Sequence, residues 1–223
     1  MVGFSGFDRL QYPGDSVMAW LRQNTNLVWC GYYLAPAPSQ QNASWMGQQA
    51  ALAAGGWGIA PIYVGQQVAG PGSKNSSAAQ GTIDGGQAVA LMTGEGFPPG
   101  SCVYLDLENG PPMPQAQSDY AGAWCDAVQA GGFTPGIYCS YLLASQANAL
   151  RPDARIWAFR VKTTQAHTVP GSEFPGPAPS GCGFAGATAW QFEQNANIAV
   201  PPAPRGQLNV DLDSATSADP GAP

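Results

Sequence analysis

The sequence predicts an α/β fold, a TIM-like barrel of five βα units followed by three strands with irregular connections. Three observations lead there. Eight short apolar runs rich in β-branched and aromatic residues recur at fairly regular intervals, as strands do. Helix-like segments separate the first six, and such alternation implies parallel pairing, because parallel neighbours need a crossover. Acidic residues, scarce overall, gather just past strand ends, where a closed barrel builds its chemistry. An open doubly wound sheet is the alternative, but it usually carries a Gly-rich phosphate turn after its first strand. Here that strand ends in Phe7-Asp8-Arg9-Leu10.

The first strand is Val2–Phe7, and the turn Tyr12-Pro-Gly-Asp15 leads to a helix over Ser16–Gln23 with Val17, Trp20 and Leu21 on one face. Leu27–Tyr33 is the second strand. Ser44 is a good N-cap for a helix running to Ala54, which Gly55-Gly56 stops. After the third strand, Gly58–Val64, a helix starts near Asp84 as its N-cap and ends by Gly94. Ser101–Leu105 is the fourth strand. The helix Pro114–Ala130 has Pro at its first turn and Gly131-Gly132 at its end. Phe133–Tyr138, a helix over Tyr141–Leu150, and Arg155–Val161 complete the fifth unit and the sixth strand. The pattern then changes. Lys162–Gly186 is rich in Pro, Gly and Ser, and Asn195–Gly206 carries Pro201, Pro202 and Pro204, so neither connector reads as a helix. Ala187–Phe192 and Gln207–Val210 are the last two strands. The barrel spans 1–213, and 214–223 reads as a flexible C-terminal tail.

Composition narrows function. With 223 residues the chain can bury a sizeable core. Only 10% of residues are charged and the net charge is −6. That argues against nucleic acid, whose phosphates demand a basic surface, and gives no attraction to anionic membranes. No stretch approaches the ~18 apolar residues of a membrane span. Met1-Val-Gly-Phe-Ser has neither a basic nor an apolar leader segment and is not read as a signal peptide. Five cysteines cannot all pair within the chain, none are spaced C-x-x-C, and His167 is the single histidine, so no metal site is expected. The cysteines read as buried free thiols. No cofactor is implied, and a lone His with no G-x-S-x-G disfavours a nucleophilic triad.

The chain has fourteen Asp and Glu. Asp8 follows the first strand, Asp106 and Glu108 the fourth, Asp211 and Asp213 the eighth, so closure brings them to one cleft. In an extended chain residues i and i+2 point to one side, ~6.6–6.8 Å apart. Asp106 and Glu108 therefore both face the cleft while Leu107 faces away, and Asp211 and Asp213 repeat the arrangement around Leu212. Crowded carboxylates raise one another's pKa, so one stays protonated near neutral pH. A protonated acid beside ionised partners is what glycoside cleavage uses. Asp8, Asp106 and Asp211 also suit helix or turn caps, a structural role that weakens as a reading once three separate strand ends share the feature. Tyr63, Tyr138, Trp157, Trp190 and Gln191 fall on or near strand ends, where aromatic faces stack on sugars. Each is equally a barrel-core residue by type.

Taken in order, Gly6-Phe-Asp8, Val103-Tyr-Leu-Asp-Leu-Glu108, Gly136-Ile-Tyr-Cys-Ser140, Ile156-Trp-Ala-Phe159, Ala189-Trp-Gln-Phe192 and Asn209-Val-Asp-Leu-Asp213 resemble glycoside hydrolase family 25, the N-acetylmuramidases of phages and bacteria. They are more similar still to the glycoside hydrolase-like domain family of unknown function 1906. The resemblance covers roughly residues 3–213. It implies that Glu108 is the general acid and that Asp106 orients or stabilises, for instance by holding an attacking acetamido group. Asp8 and Asp211 complete the acidic cleft, and Asp213 and Asp211 are interchangeable at this stage. Arg160 stands where the muramidases usually place a Tyr, and near the mouth it would contact substrate or neutralise an acid. The implied partner is a polysaccharide, peptidoglycan foremost, with the protein a monomer or part of a larger assembly, at the cell wall or in a phage particle. The alternative is a non-catalytic polysaccharide-binding or structural barrel, since activity does not follow from a fold.

Overall fold

A computed structural model of the chain describes residues 2–161, 167–169, 172–200 and 206–223. Residues 201–205, which include Pro201, Pro202 and Pro204, residues 162–166 and 170–171 of the preceding connector, and the side chain of His167, expected at the surface, lie outside those residues.

The strands β1 (Phe4–Asp8), β2 (Trp29–Tyr33), β3 (Gly58–Val64), β4 (Cys102–Leu107), β5 (Thr134–Ser140) and β6 (Arg155–Phe159) pair in sequence order and in parallel. A three-residue β7 (His167–Val169) follows, and then β8 (Ala187–Ala199) and β9 (Gln207–Ala215). β8 pairs in parallel with β6, and β9 joins β8 to β1. The barrel is thus closed by eight strands, with β7 outside it on the far part of β8. The helices α1 (Asp15–Asn24), α2 (Gln49–Ala54), α3 (Ala78–Gly94), α4 (Gln115–Ala130) and α5 (Ala144–Leu150) follow β1 to β5 in turn, giving the five βα units. No helix among the described residues is long and apolar enough to cross a membrane.

Every barrel strand is buried on both faces, which explains its near-continuous apolar sequence. One set of alternate residues fills the barrel. Trp157 is its hub, edge-on to Trp29, Tyr104 and Tyr138 at ring-centre distances of 5.3, 5.4 and 5.4 Å. The other set, Phe7, Tyr63, Leu105 and Ile137 among them, packs under the helices. All five cysteines are buried free thiols. Burial pushes Cys102, Cys125 and Cys139 up to about 12, so they stay protonated and inert.

Several elements depart from expectation. β9 runs antiparallel to both neighbours, pairing Phe4 with Ala215 and Asp8 with Asp211. Asp211 and Asp213 therefore lie within the strand rather than beyond its end. β8 continues to Ala199, pairing Ala196 with Val210 and Ile198 with Leu208. This hairpin stands above the mouth, and its alternating buried Ala196, Ile198, Leu208 and Val210 bind it together where the nearby prolines suggested an irregular link. Helix α3 begins earlier than expected, with Ser77 as N-cap accepting from the Gln80 amide. Asp84 is not the cap but a buried residue inside α3, bonded by Gln66, Gln80 and Tyr120. Ser44 accepts from the Tyr12 amide and sits in a turn ahead of the short α2 instead of capping it.

The expected flexible tail is a packed strap. Beyond β9 it crosses the end of the barrel opposite the acids. Asp219 Oδ1 accepts from the Ile59 amide at 2.9 Å, and Gly221 O accepts from the Cys102 amide at 2.8 Å. Arg155 donates to the carbonyls of Pro220 and Ala222 at 2.9 and 2.8 Å. The small and proline-rich composition that suggested disorder is what lets this segment lie flat against strand starts, satisfying backbone groups that would otherwise be left open.

Candidate active site

At the end of β1, Asp8 is buried beneath the mouth and held from two sides. Tyr33, the last residue of β2, donates its hydroxyl to Asp8 Oδ1 at 2.6 Å. Gln191 of β8 donates its amide to Asp8 Oδ2 at 2.9 Å and to Asp211 Oδ2 at 3.2 Å. Gln191 is itself fixed by the Tyr138 hydroxyl, which donates to its Oε1 at 2.9 Å. Asp211 Oδ1 accepts from the Asn195 amide at 2.9 Å, where the hairpin bends through a left-handed Asn195 with φ of 59°. Two residues along β9, Asp213 lies opposite Gly6, one layer deeper in the barrel, and accepts from the Trp157 indole at 3.1 Å.

On β4, Asp106 is buried one residue before the strand ends at the equally buried Leu107, and Glu108, just past the strand, stands at the rim, exposed to the cleft. Asp106 is 5% exposed, and its Oδ1 finds no partner in the protein. Gln67, from the loop after β3, ties the pair together. Its amide donates to the Asp106 carbonyl at 2.8 Å, and its Oε1 accepts from the Glu108 backbone amide at 3.1 Å.

The five carboxyls titrate above their ordinary range. Burial is the main cause for each. The charge of Glu108 and then Asp8 adds to it at Asp106, and that of Asp8 at Glu108. Asp211 is pushed up to about 7 by burial and the neighbouring Asp8. At Asp8, hydrogen bonds from Tyr33 and Gln191 offset part of the rise. Asp213 is raised well above the carboxylate range by burial and Asp8. A hydrogen bond with Asp8 favours the protonated form of Asp213, and its Oδ2 has no donor elsewhere in the protein.

These groups line a cleft of about 540 Å³, whose wall includes Asp8, Tyr33, Gln67, Asp106, Glu108 and Asp211. A smaller chamber of about 50 Å³ lies below, floored by Tyr138, Trp157 and Gln191. The structure thus brings Asp8, Asp106, Glu108, Asp211, Tyr138, Trp157 and Gln191 together. It does not bring in Tyr63 or Trp190. Tyr63 points outward under the helices, its hydroxyl donating to Gln87 at 2.6 Å. Trp190 is also outward, donating to the Arg160 carbonyl at 3.1 Å. Each neighbours an inward residue on its strand, and strand side chains alternate. Arg160 occupies an adjoining groove with Ser140, Phe159 and Gln194, its guanidinium 4.7 Å above the Tyr141 ring. Both ion pairs among the described residues belong to Arg151, so Arg160 neutralises none of the described acids. Among the described residues no group of three or more His, Cys, Asp and Glu is arranged to hold a metal ion.

Tyr33, Gln67 and Asn195, which hydrogen-bond to the acids or their backbone, are positions in the cleft that counting acids does not reveal. Tyr33 carried a signal, being an aromatic hydroxyl at the end of the second strand. Gln67 and Asn195 come from loops with no periodicity to place them.

A closed βα barrel with carboxyls converging on one mouth defines a glycoside hydrolase-like protein. The model of the Rv2525c-like, glycoside hydrolase-like domain family matches residues 19–214, and the chain belongs to that family. The matched span includes Asp106, Glu108, Asp211 and Asp213. A search of curated proteins gives no match. Among solved structures, an uncharacterised B. stearothermophilus protein is 19% identical, with 96% of each chain covered and a TM-score of 0.62. The catalytic domain of the endolysin ply40 from bacteriophage P40 of Listeria monocytogenes is 11% identical over 97% of this chain and 94% of that one, with a TM-score of 0.62. A family GH25 lysozyme from Aspergillus fumigatus is 11% identical over 99% of both chains, with a TM-score of 0.58. The fold is therefore the one expected from the sequence, shared with lysozymes of family 25.

Proposed function

We propose that this barrel hydrolyses the glycan strands of cell-wall peptidoglycan, with Glu108 as general acid. The reading rests above all on one observation: Asp8, Asp106, Glu108 and Asp211, from three strands, line a single cleft in which Asp106 Oδ1 has no partner of its own. Lysozyme-type neighbours support a wall glycan as the substrate class.

Glu108, raised by burial and Asp8, holds its proton to higher pH than an ordinary glutamate and stands at the rim, where a departing glycosidic oxygen can take it. The free Asp106 oxygen accepts the N–H of an acetamido group, and that bond favours the ionised form of Asp106. The acetamido carbonyl oxygen then attacks the anomeric carbon as Glu108 protonates the leaving oxygen. Water opens the resulting ring, returning its proton to Glu108. Asp8 and Asp211, fixed by Gln191 and Tyr33, supply negative charge beneath the cationic transition state.

Glu108→Gln keeps the shape and removes the proton. Turbidity clearing of purified bacterial walls should fall by roughly 100- to 10,000-fold, the range for losing a general acid, with an unchanged circular dichroism spectrum. Equal clearing by the variant refutes the mechanism. Binding of walls by the wild type with no release of reducing ends would assign the cleft to recognition alone.

A further inference from the structure

The chain holds eight Lys and Arg residues against fourteen acids, so each cation is worth locating. Arg22 donates to the Gly56 carbonyl, Arg151 pairs with Asp126 and Asp153, Arg155 binds the strap, and Arg160 binds the Cys182 carbonyl and covers Tyr141. Arg9 is different. It follows Asp8, lines the main cleft, is half-buried, and its guanidinium has no hydrogen-bond or ion-pair partner among the described residues. It is also the one cation among the described residues lining that cleft.

Its placement is built rather than incidental. The Arg9 carbonyl accepts from the indole of the fully buried Trp45 at 3.0 Å, and the Tyr12 amide binds Ser44. The loop carrying Arg9 is thereby locked to the segment that brings Ser39 and Asn42 into the same wall. Partial burial disfavours the charged guanidinium, and an anion beside it would offset that cost. Of the acids that line the cleft with it, Asp106, Glu108 and Asp211 all titrate above their ordinary range, which lowers the negative charge an anion meets there. A guanidinium presents a planar fork that matches a carboxylate bidentately.

We infer that Arg9 is a specificity-determining residue that binds a carboxylate carried by the glycan, so that the cleft selects acidic over neutral amino-sugar chains. The inference rests on the glycan reading above and names the substrate class within it. The carboxylate belongs either to the lactyl ether of a wall glycan freed of its peptide, whose attachment would otherwise consume the carboxyl as an amide, or to a uronic acid.

Isothermal titration on the full chain carrying Glu108→Gln, to prevent turnover, compares three tetrasaccharides: chitotetraose, alternating N-acetylglucosamine and N-acetylmuramic acid, and hyaluronan. At least one acidic glycan should bind roughly 10- to 100-fold more tightly than chitotetraose, the range for a charge-assisted bond. Adding Arg9→Gln should erase that preference while chitotetraose binding changes by less than about twofold, and Arg9→Lys should restore part of it. Which acidic glycan is preferred separates lactyl from uronate. Equal binding of all three, unchanged by Arg9→Gln, overturns the inference and leaves the glycan cleft standing. An equal loss for all three also overturns it. No binding of any glycan removes the glycan reading, and this inference with it.

Discussion

Replacing Asp213 by asparagine tests the protonation scheme directly. Asp213 is fully buried and accepts from Trp157 at 3.1 Å, its Oδ2 is reached by no donor, and its protonated form is favoured by a hydrogen bond with Asp8. An asparagine reproduces a protonated acid: its carbonyl accepts from the indole and its amide donates to Asp8. The substitution should therefore cost less than about 1.5 kcal/mol near pH 4, the worth of one hydrogen bond. Asp213→Ala leaves the Trp157 N–H unsatisfied in the barrel interior, which alone costs ~1–3 kcal/mol. The pH dependence is sharper. The folded pKa of Asp213 lies above its unfolded value of ~3.9. Its contribution to stability is complete below ~3.9 and is lost as pH rises through the folded pKa. Across that window one retained proton is worth roughly 1.4 kcal/mol per pH unit. Urea titrations at intervals from pH 4 to 8 should show wild-type stability falling relative to Asp213→Asn by about that slope, so that the variant gains with pH. Parallel curves for the two proteins would mean that Asp213 ionises normally, and would refute the retained proton. Equal destabilisation by Asn and Ala at pH 4 would refute the hydrogen-bond arrangement.

Asp8→Asn removes the charge that opposes ionisation of Glu108 and Asp211, so both should titrate at lower pH. Carboxyl-carbon NMR should show Asp211 dropping from about 7, and the alkaline limb of wall clearing should move to more acid pH at whatever rate remains. Gly31→Ala adds a Cβ 2.7 Å from Asp8 Cβ and 2.9 Å from Ile62 Cδ1, both inside the barrel. It should cost ~1–3 kcal/mol as overpacking, seen as a lower urea midpoint with an unchanged slope, and should weaken clearing further by displacing Asp8. A variant as stable and active as the wild type would show that β1 and β2 can part at no cost.

The eight barrel strands and the five helices were legible because each strand is an apolar run and each helix is bounded by Gly or Pro. Side-chain direction was legible only where a polar residue marks the inward face. Asp106 and Glu108 set the parity of β4, and Gln191 that of β8, which already turns the adjacent Trp190 outward. In β3 the run Gly-Ile-Ala-Pro-Ile-Tyr-Val is apolar on both faces, so nothing in it says that Tyr63 faces the helices. The direction of β9 was hidden for a related reason. A strand buried on both sides reads alike in either orientation, and only its antiparallel register with β1 sets Asp211 opposite Asp8. The strap escaped because most of its bonds are made by its own carbonyls, those of Pro220, Gly221 and Ala222, which carry no residue signature.

The reversed β9 has a consequence for how such a protein can diversify. A parallel strand enters a barrel from the floor, so lengthening its start adds chain away from the chemistry. β9 enters from the mouth, and together with β8 it raises a two-stranded parapet whose height is set by residues outside the barrel ladder. The register shifts in β8 between Gln191 and Glu193 and between Glu193 and Ala196 lie at the junction of parapet and barrel, and Asn195 within the second ties that junction to Asp211, so only a change of length beyond Ala196 leaves the acids in place. Lengthening or shortening the paired stretches beyond Ala196 and Val210 would then alter the height of the wall while the acids keep their spacing. The depth of the cleft and its acid chemistry are set by separate stretches of one strand pair, and each is free to change alone.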